Sequence, residues 1–133
     1  MVDLATLTGA CVVALGETTA GLFSNDDDIV NELIKAGEQS FEPLWHLPIQ
    51  DEHKEVIKGE TGDISNTGKG RWGGASSAAA FLLRFVEKDT KWAHLDIAGP
   101  AMATAARPPI CSDQTGFGAG LLLKFIKNKE ESK

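Results

Sequence analysis

Residues 91–99 read KWAHLDIAG, an apolar stretch that follows a helical pattern and ends in glycine. Such a stretch predicts a buried strand. A second strand is predicted at the start of the chain, where residues 2–8 read VDLATLT and place Val2 and Leu4 on one face. Because helical patterns alternate with these apolar strands, the sequence favours an α/β fold in which helices are layered on a sheet.

Four helices are predicted from capping residues and from apolar side chains at helical spacing. The first begins at residues 24–27, where hydroxyl and carboxylate groups can cap free N–H groups, and runs to residue 40. The second and fourth cover 51–58 and 116–127. The third covers 78–87, with Ser76 or Ser77 as its cap. Its buried stripe is expected to be Phe81, Leu82, Phe85 and Val86.

The connections between these elements are predicted from glycine, proline and polar residues. Residues 10–23 are expected to form a pair of short strands, because an apolar run and Leu22-Phe23 flank a polar loop between glycines. Residues 45–47 lie between two prolines and should be extended. Residues 59–74 contain six glycines and should form the longest loop, of the kind that serves a site or an interface.

Length and charge limit the classes of protein to consider. The chain has 133 residues, enough for one domain, and carries a net charge of −6. This sign disfavours nucleic acid and anionic membranes as partners, and no apolar run is long enough for a membrane helix. Cys11 and Cys111 form no CxxC pair, so we interpret them as buried free thiols of a cytoplasmic protein.

The short motifs in the sequence, considered without reference to any family, do not support a cofactor, metal or nucleophile site. Residues 68–73 match GxGxxG, but they follow a polar segment, so a loop is favoured over dinucleotide binding. No HExxH motif is present, and no glycine follows Ser76 or Ser77 where a nucleophile elbow requires one. His94 and Asp96 share a strand face; a buried structural pair is favoured over a catalytic one.

Six motifs occur in an order that resembles a known family: ATLTGA (5–10), LWHLP (44–48), DISN (63–66), AAFL (79–82), WAHLDIAG (92–99) and TGFG (115–118). Together they resemble the C-terminal half of the catalytic domain of the leucine (cytosol) aminopeptidase family, from Val2 to about Ile126. The resemblance implies a layered α/β/α sheet domain of which residues 1–133 are only the C-terminal part.

The resemblance also implies an activity. The family comprises two-metal exopeptidases, using zinc or manganese, that remove N-terminal residues such as leucine from peptides and usually assemble as homohexamers. The metal-ligand motifs of the family lie upstream of the ATLTG string, so this segment is expected to hold neither metal ligands nor catalytic residues and to be inactive alone. The alternative is a non-catalytic remnant or an assembly module with the same fold.

The segment is expected to supply part of the substrate pocket, because open α/β sheets bind ligands at the carboxyl ends of their strands. By resemblance, Thr6, Leu7 and Gly9 border the substrate, and the Leu7 backbone offers polar contacts to the reacting group. Ala98 and Ala101 line the specificity pocket, where small side chains leave room for an apolar residue.

Overall fold

The fold consists of four strands and five helices over the residues that a computed structural model of the protein describes, 1–103 and 113–131. In chain order they are β1 (Val2–Ala5), α1 (Gly9–Leu15), β2 (Ala20–Ser24), α2 (Asp27–Ser40), β3 (Leu44–His46), α3 (Asp51–Glu55), α4 (Gly74–Leu83), β4 (Ala93–Asp96) and α5 (Ala119–Glu131). Within these described residues, no helix is long and apolar enough to cross a membrane.

The strands form one mixed sheet in the order β1-β4-β2-β3. The first and last predicted strands, β1 and β4, are parallel neighbours, with Val2 opposite Ala93 and Ala5 opposite Asp96. Strand β2 runs antiparallel to β4, and β3 runs parallel to β2. Because β1 and β4 are parallel, the segments that follow them leave the sheet at the same edge.

Helices cover both faces of the sheet, which confirms the predicted α/β/α layering. On one face, α2 and α5 pack against Leu22, Leu44 and Leu95. On the other face, α1 and α4 pack around Phe23 and Trp92. Successive side chains of a strand point to opposite faces, so Leu22 and Phe23, which are adjacent in β2, pack against different pairs of helices.

Helix α2 begins where the sequence predicts it. The carboxylate of Asp26 accepts a hydrogen bond from the N–H of Ile29 over 3.0 Å, and Asp27 and Asp28 lie in the first turn. The helices predicted at 51–58 and 116–127 are also present, as α3 and α5, with bounds shifted by a few residues. The predicted loop is found between α3 and α4.

The prediction of two short strands over 10–23 is wrong in its first half. Residues 9–15 form helix α1, which Thr8 caps by accepting a hydrogen bond from the N–H of Cys11 over 3.0 Å. The helix ends at Gly16, whose φ of 74° is left-handed. The apolar run misled the prediction because short runs have no decisive period, and Val13 within it is 89% exposed.

The predicted bounds of the third helix are also wrong. Helix α4 begins at Gly74, with Gly73 in the left-handed region at φ 63°, so Ser76 and Ser77 are buried within the helix instead of capping it. A Cβ at Gly74 would lie 3.2 Å from the Cβ of Ala10, which shows how closely α4 packs on α1. The helix ends at Leu83, and Phe85, predicted to be buried, is 68% exposed.

Candidate functional site

The carboxyl ends of β1 and β4 meet at one edge of the sheet, where the segments 6–9 and 97–101 follow them. The last residue of β4, Asp96, is fully buried and lies opposite Ala5, the last residue of β1. Its side chain therefore lies between the two segments that the sequence singled out for the substrate pocket.

The Asp96 carboxylate binds both segments. Oδ1 accepts hydrogen bonds from the N–H groups of Leu7 and Ala98, each over 3.1 Å, and from the N–H of Thr8 over 3.4 Å. Oδ2 accepts a hydrogen bond from the hydroxyl of Thr8 over 2.7 Å. Hydrogen bonds to a charged acceptor are stronger than those between neutral groups, so Asp96 holds the two segments in one arrangement.

Thr8 extends this arrangement into helix α1. Its hydroxyl group donates a hydrogen bond to Oδ2 of Asp96, and its oxygen accepts one from the N–H of Cys11, which caps α1. The thiol of Cys11 lies 3.8 Å from the carbonyl oxygen of Asp96. Burial, and secondly the negative charge of Asp96, raises the pKa of this thiol to about 11. Cys11 is therefore a buried, neutral thiol, as the sequence suggested; Cys111 lies outside the described residues.

The five predicted site residues lie in the two segments that follow β1 and β4. Thr6, Leu7 and Gly9 are exposed after β1, and a Cβ at Gly9 would meet no atom within 4 Å. Ala98 is partly buried and shares Oδ1 of Asp96 with Leu7. Ala101, also partly buried, lies three residues further on, and its N–H donates to the carbonyl of Ile97 over 2.9 Å.

A cleft of about 330 Å³ opens beside Leu7 and Thr8. It is also lined by the residues just after α3, by the glycine-rich loop and by the start of α4. Of the five predicted site residues, Leu7 lines this cleft, and Thr6, Gly9, Ala98 and Ala101 do not. The lining residues are Leu7, Thr8, Val56, Ile57, Asn66, Thr67, Gly68, Lys69, Gly70, Trp72, Gly74, Ser77 and Ala78.

The predicted pairing of His94 with Asp96 is wrong, although the two do share a strand face. Nδ1 of fully buried His94 lies 2.5 Å from Oδ1 of Asp3, on the neighbouring strand β1, and the indole N–H of Trp92 donates to Oδ2 of Asp3 over 2.6 Å. The His94 ring stacks at 6.0 Å on Phe23. Because Asp3 is directly opposite His94 in the sheet register, the strand pairing selects this partner.

Sequence reasoning missed the role of Asp96 in gathering backbone groups. An aspartate at the end of a buried strand is a usable signal, because a buried carboxylate requires several donors. The donors themselves are backbone N–H groups, which every residue carries, so the sequence does not show which segments supply them.

The described carboxylates do not fit a metal pair. Over residues 1–103 and 113–131, no group of three or more His, Cys, Asp or Glu side chains is arranged to hold a metal ion. Asp96 is already bound by four protein donors, and Asp3 by His94 and Trp92.

Comparison with known proteins gives consistent results. The model of the cytosol aminopeptidase family, catalytic domain, matches residues 1–123. A probable cytosol aminopeptidase of Chloroherpeton thalassium is 51% identical over 128 residues, which cover 96% of this chain and 25% of that protein. A probable cytosol aminopeptidase of Acinetobacter baylyi is 48% identical over 129 residues, which cover 97% of this chain and 26% of that protein. The structure of a mutant of tomato leucine aminopeptidase matches with a TM-score of 0.86 at 40% identity, covering 96% of this chain and 24% of that chain. The chain thus spans about a quarter of the length of these relatives.

Proposed function

This chain belongs to the cytosol aminopeptidase family, and from that premise we propose that it forms the C-terminal part of a catalytic domain that removes leucine-like residues from the N-termini of peptides. The enzyme is a cytoplasmic homohexamer and uses two divalent metal ions, zinc or manganese. In it, this segment supplies one wall of the substrate pocket.

The observation that carries the proposal is the convergence of two segments on Asp96. Leu7 and Ala98 are 91 positions apart in the sequence, yet their N–H groups donate to the same carboxylate oxygen. A buried acceptor with four donors fixes the relative position of the segments after β1 and β4. A site that binds a substrate between them needs this kind of preorganisation.

Each predicted residue then has a part in binding. Ala98 and Ala101 form the side that receives the N-terminal side chain, where their small size leaves space for leucine. Thr6, Leu7 and Gly9 border the reacting group. Because the N–H of Leu7 is already bound to Asp96, the polar contact that this residue offers to a substrate comes from its carbonyl oxygen.

The metal pair is proposed to be held by residues other than those described. In a two-metal hydrolase, the ions activate a water molecule and polarise the scissile carbonyl. Asp3 and Asp96 cannot contribute ligands without losing the contacts that stabilise the fold. The contribution of this segment is therefore to bind and orient the peptide.

The test begins with the gene sequence upstream of Met1, followed by expression of the complete protein. We expect family metal-ligand motifs upstream, and hydrolysis of leucine amide by the complete protein that is lost on chelation and restored by zinc or manganese. The 133-residue chain alone should be inactive under the same conditions. Hydrolysis by the isolated chain, or no hydrolysis by the metal-loaded complete protein, contradicts the proposal.

A further inference from the structure

The cleft beside Leu7 has an unusual distribution of charge. Of the described residues that line it, Lys69 is the single one with an ionisable side chain. The chain as a whole is acidic, with a net charge of −6, and residues 1–34 contain six acids but no Lys or Arg. No acidic side chain is among the described lining residues, and the ion-pair partner of Lys69, Glu60, lies outside the lining, so Lys69 makes the cleft wall attractive to an anionic group.

The backbone around Lys69 is held against the end of α3. The N–H of Lys69 donates to the carbonyl of Val56 over 3.3 Å, and the N–H of Ser65 donates to the carbonyl of Ile57 over 2.8 Å. A Cβ at Gly68 would lie only 3.3 Å from the side chain of Val56. The loop therefore packs closely on the rest of the domain, and Lys69 has a defined position on the cleft wall.

The present partner of Lys69 is easily replaced. Its Nζ lies 2.6 Å from Oε1 of Glu60, and both side chains are two thirds exposed or more. Ion pairs that are this exposed contribute little stability, because water solvates both partners well. A carboxylate that enters the cleft can thus take the place of Glu60 at small cost.

The arrangement of the site indicates which part of a substrate reaches Lys69. Leu7 lines the cleft, whereas Ala98 and Ala101 do not. In the proposed function the N-terminal side chain lies against Ala98, so the cleft beside Leu7 is the space that remains for the residue after the scissile bond.

We propose that Lys69 is a specificity-determining residue that binds a carboxylate on the leaving-group side of the scissile bond. This inference rests on the proposed function. The carboxylate has two chemical sources: the free C-terminus of a dipeptide, or the side chain of Asp or Glu in the second position of a longer peptide.

The experiment compares matched substrates on the complete enzyme. Leucyl-glycine is paired with leucyl-glycine amide, and leucyl-aspartate amide with leucyl-asparagine amide. The measured quantity is the ratio of kcat/KM for the charged substrate to that for its neutral partner. We expect Lys69→Met to lower this ratio about fivefold in at least one pair, and Lys69→Glu to lower it further, in keeping with the strength of exposed ion pairs. The pair that responds identifies the source of the carboxylate.

Two further variants separate specificity from general damage. Lys58→Met removes an ion pair of the same kind, since Nζ of Lys58 lies 2.6 Å from Oε2 of Glu55 with both side chains more than half exposed, but Lys58 does not line the cleft. Its ratios should match wild type. Glu60→Gln frees Lys69 and should raise the ratio that Lys69→Met lowers.

The outcomes distinguish this inference from the proposed function. Equal losses on charged and neutral substrates in Lys69→Met, or an equal change of ratio in Lys58→Met, overturn the role of Lys69 while leaving an active aminopeptidase. A complete, metal-loaded wild-type protein that cleaves none of the four substrates refutes the proposed function, and the role of Lys69 with it.

Discussion

Replacing Asp96 by alanine should lower the free energy of unfolding by about 2 to 4 kcal/mol. The substitution removes the acceptor of four donors: the N–H groups of Leu7, Thr8 and Ala98, and the Thr8 hydroxyl. Residues 6–9 are close enough to solvent for water to replace part of each bond, which leaves a cost of about 0.5 to 1 kcal/mol per donor. A loss of this size is a large fraction of the total stability of a domain.

Two further substitutions serve as controls for the stability measurement on Asp96→Ala. Asp96→Asn keeps an oxygen for the three N–H groups and places an NH₂ group toward the Thr8 hydroxyl, so it should cost only about 1 kcal/mol. Asp63→Ala removes an exposed carboxylate from the long loop and should change stability by less than about 0.5 kcal/mol. Urea unfolding of each purified variant gives the free energies. A loss of less than 1 kcal/mol in Asp96→Ala would show that the two segments are held by other contacts.

Three other predictions follow from the same edge of the sheet. Burial raises the pKa of Cys11 from 9.0 to about 11, so the unfolded chain releases the thiol proton at lower pH than the folded chain. In urea titrations, the free energy of unfolding should be unaffected below pH 9 and fall by about 2 to 3 kcal/mol between pH 9 and 11. An equal fall in Cys11→Ala contradicts this. Gly99→Ala should lower the Tm sharply, because its Cβ would lie 2.1 Å from the carbonyl oxygen of Gly16. Gly9→Ala has open space around the new Cβ, so it should keep the Tm and reduce kcat/KM of the complete enzyme. In that enzyme, Ala98→Leu should raise the activation free energy for leucyl substrates, measured from kcat/KM, by about 1 to 3 kcal/mol and that for alanyl substrates by less. Equal losses of kcat/KM on both substrates would show that Ala98 does not line the specificity pocket.

Local patterns explain why several elements could be predicted from sequence. Helix α2 has both a side-chain cap at Asp26 and apolar residues at helical spacing, so two independent signals agree. Strand β4 is buried along its whole length, and its sequence predicts a strand although two of its four residues, His94 and Asp96, are polar. Helix α1 has a cap at Thr8, but its seven residues are too few to display a helical period, and the polar loop between Gly16 and Gly21 that follows it resembles a hairpin turn.

The contacts of the candidate site depend on distances along the chain that local patterns do not encode. His94 and Asp3 are 91 positions apart, and only the pairing of β1 with β4 places them opposite one another. The bonds between Asp96 and the backbone of Leu7 have the same origin. The resemblance to a family predicted that these segments belong to one site, while the choice of hydrogen-bond partners required the strand register.

The pairing of β1 with β4 also affects how the domain is made on the ribosome. Residue 2 is synthesised about 90 positions before residue 93, with which it pairs. At a translation rate of about 5 to 20 residues per second, β1 waits roughly 5 to 20 seconds for its partner in the described sheet, while β2 and β3 can already join. During that interval the unpaired edge of β1 can associate with other nascent chains, so chaperone binding to residues 2–8 would protect the yield of folded protein.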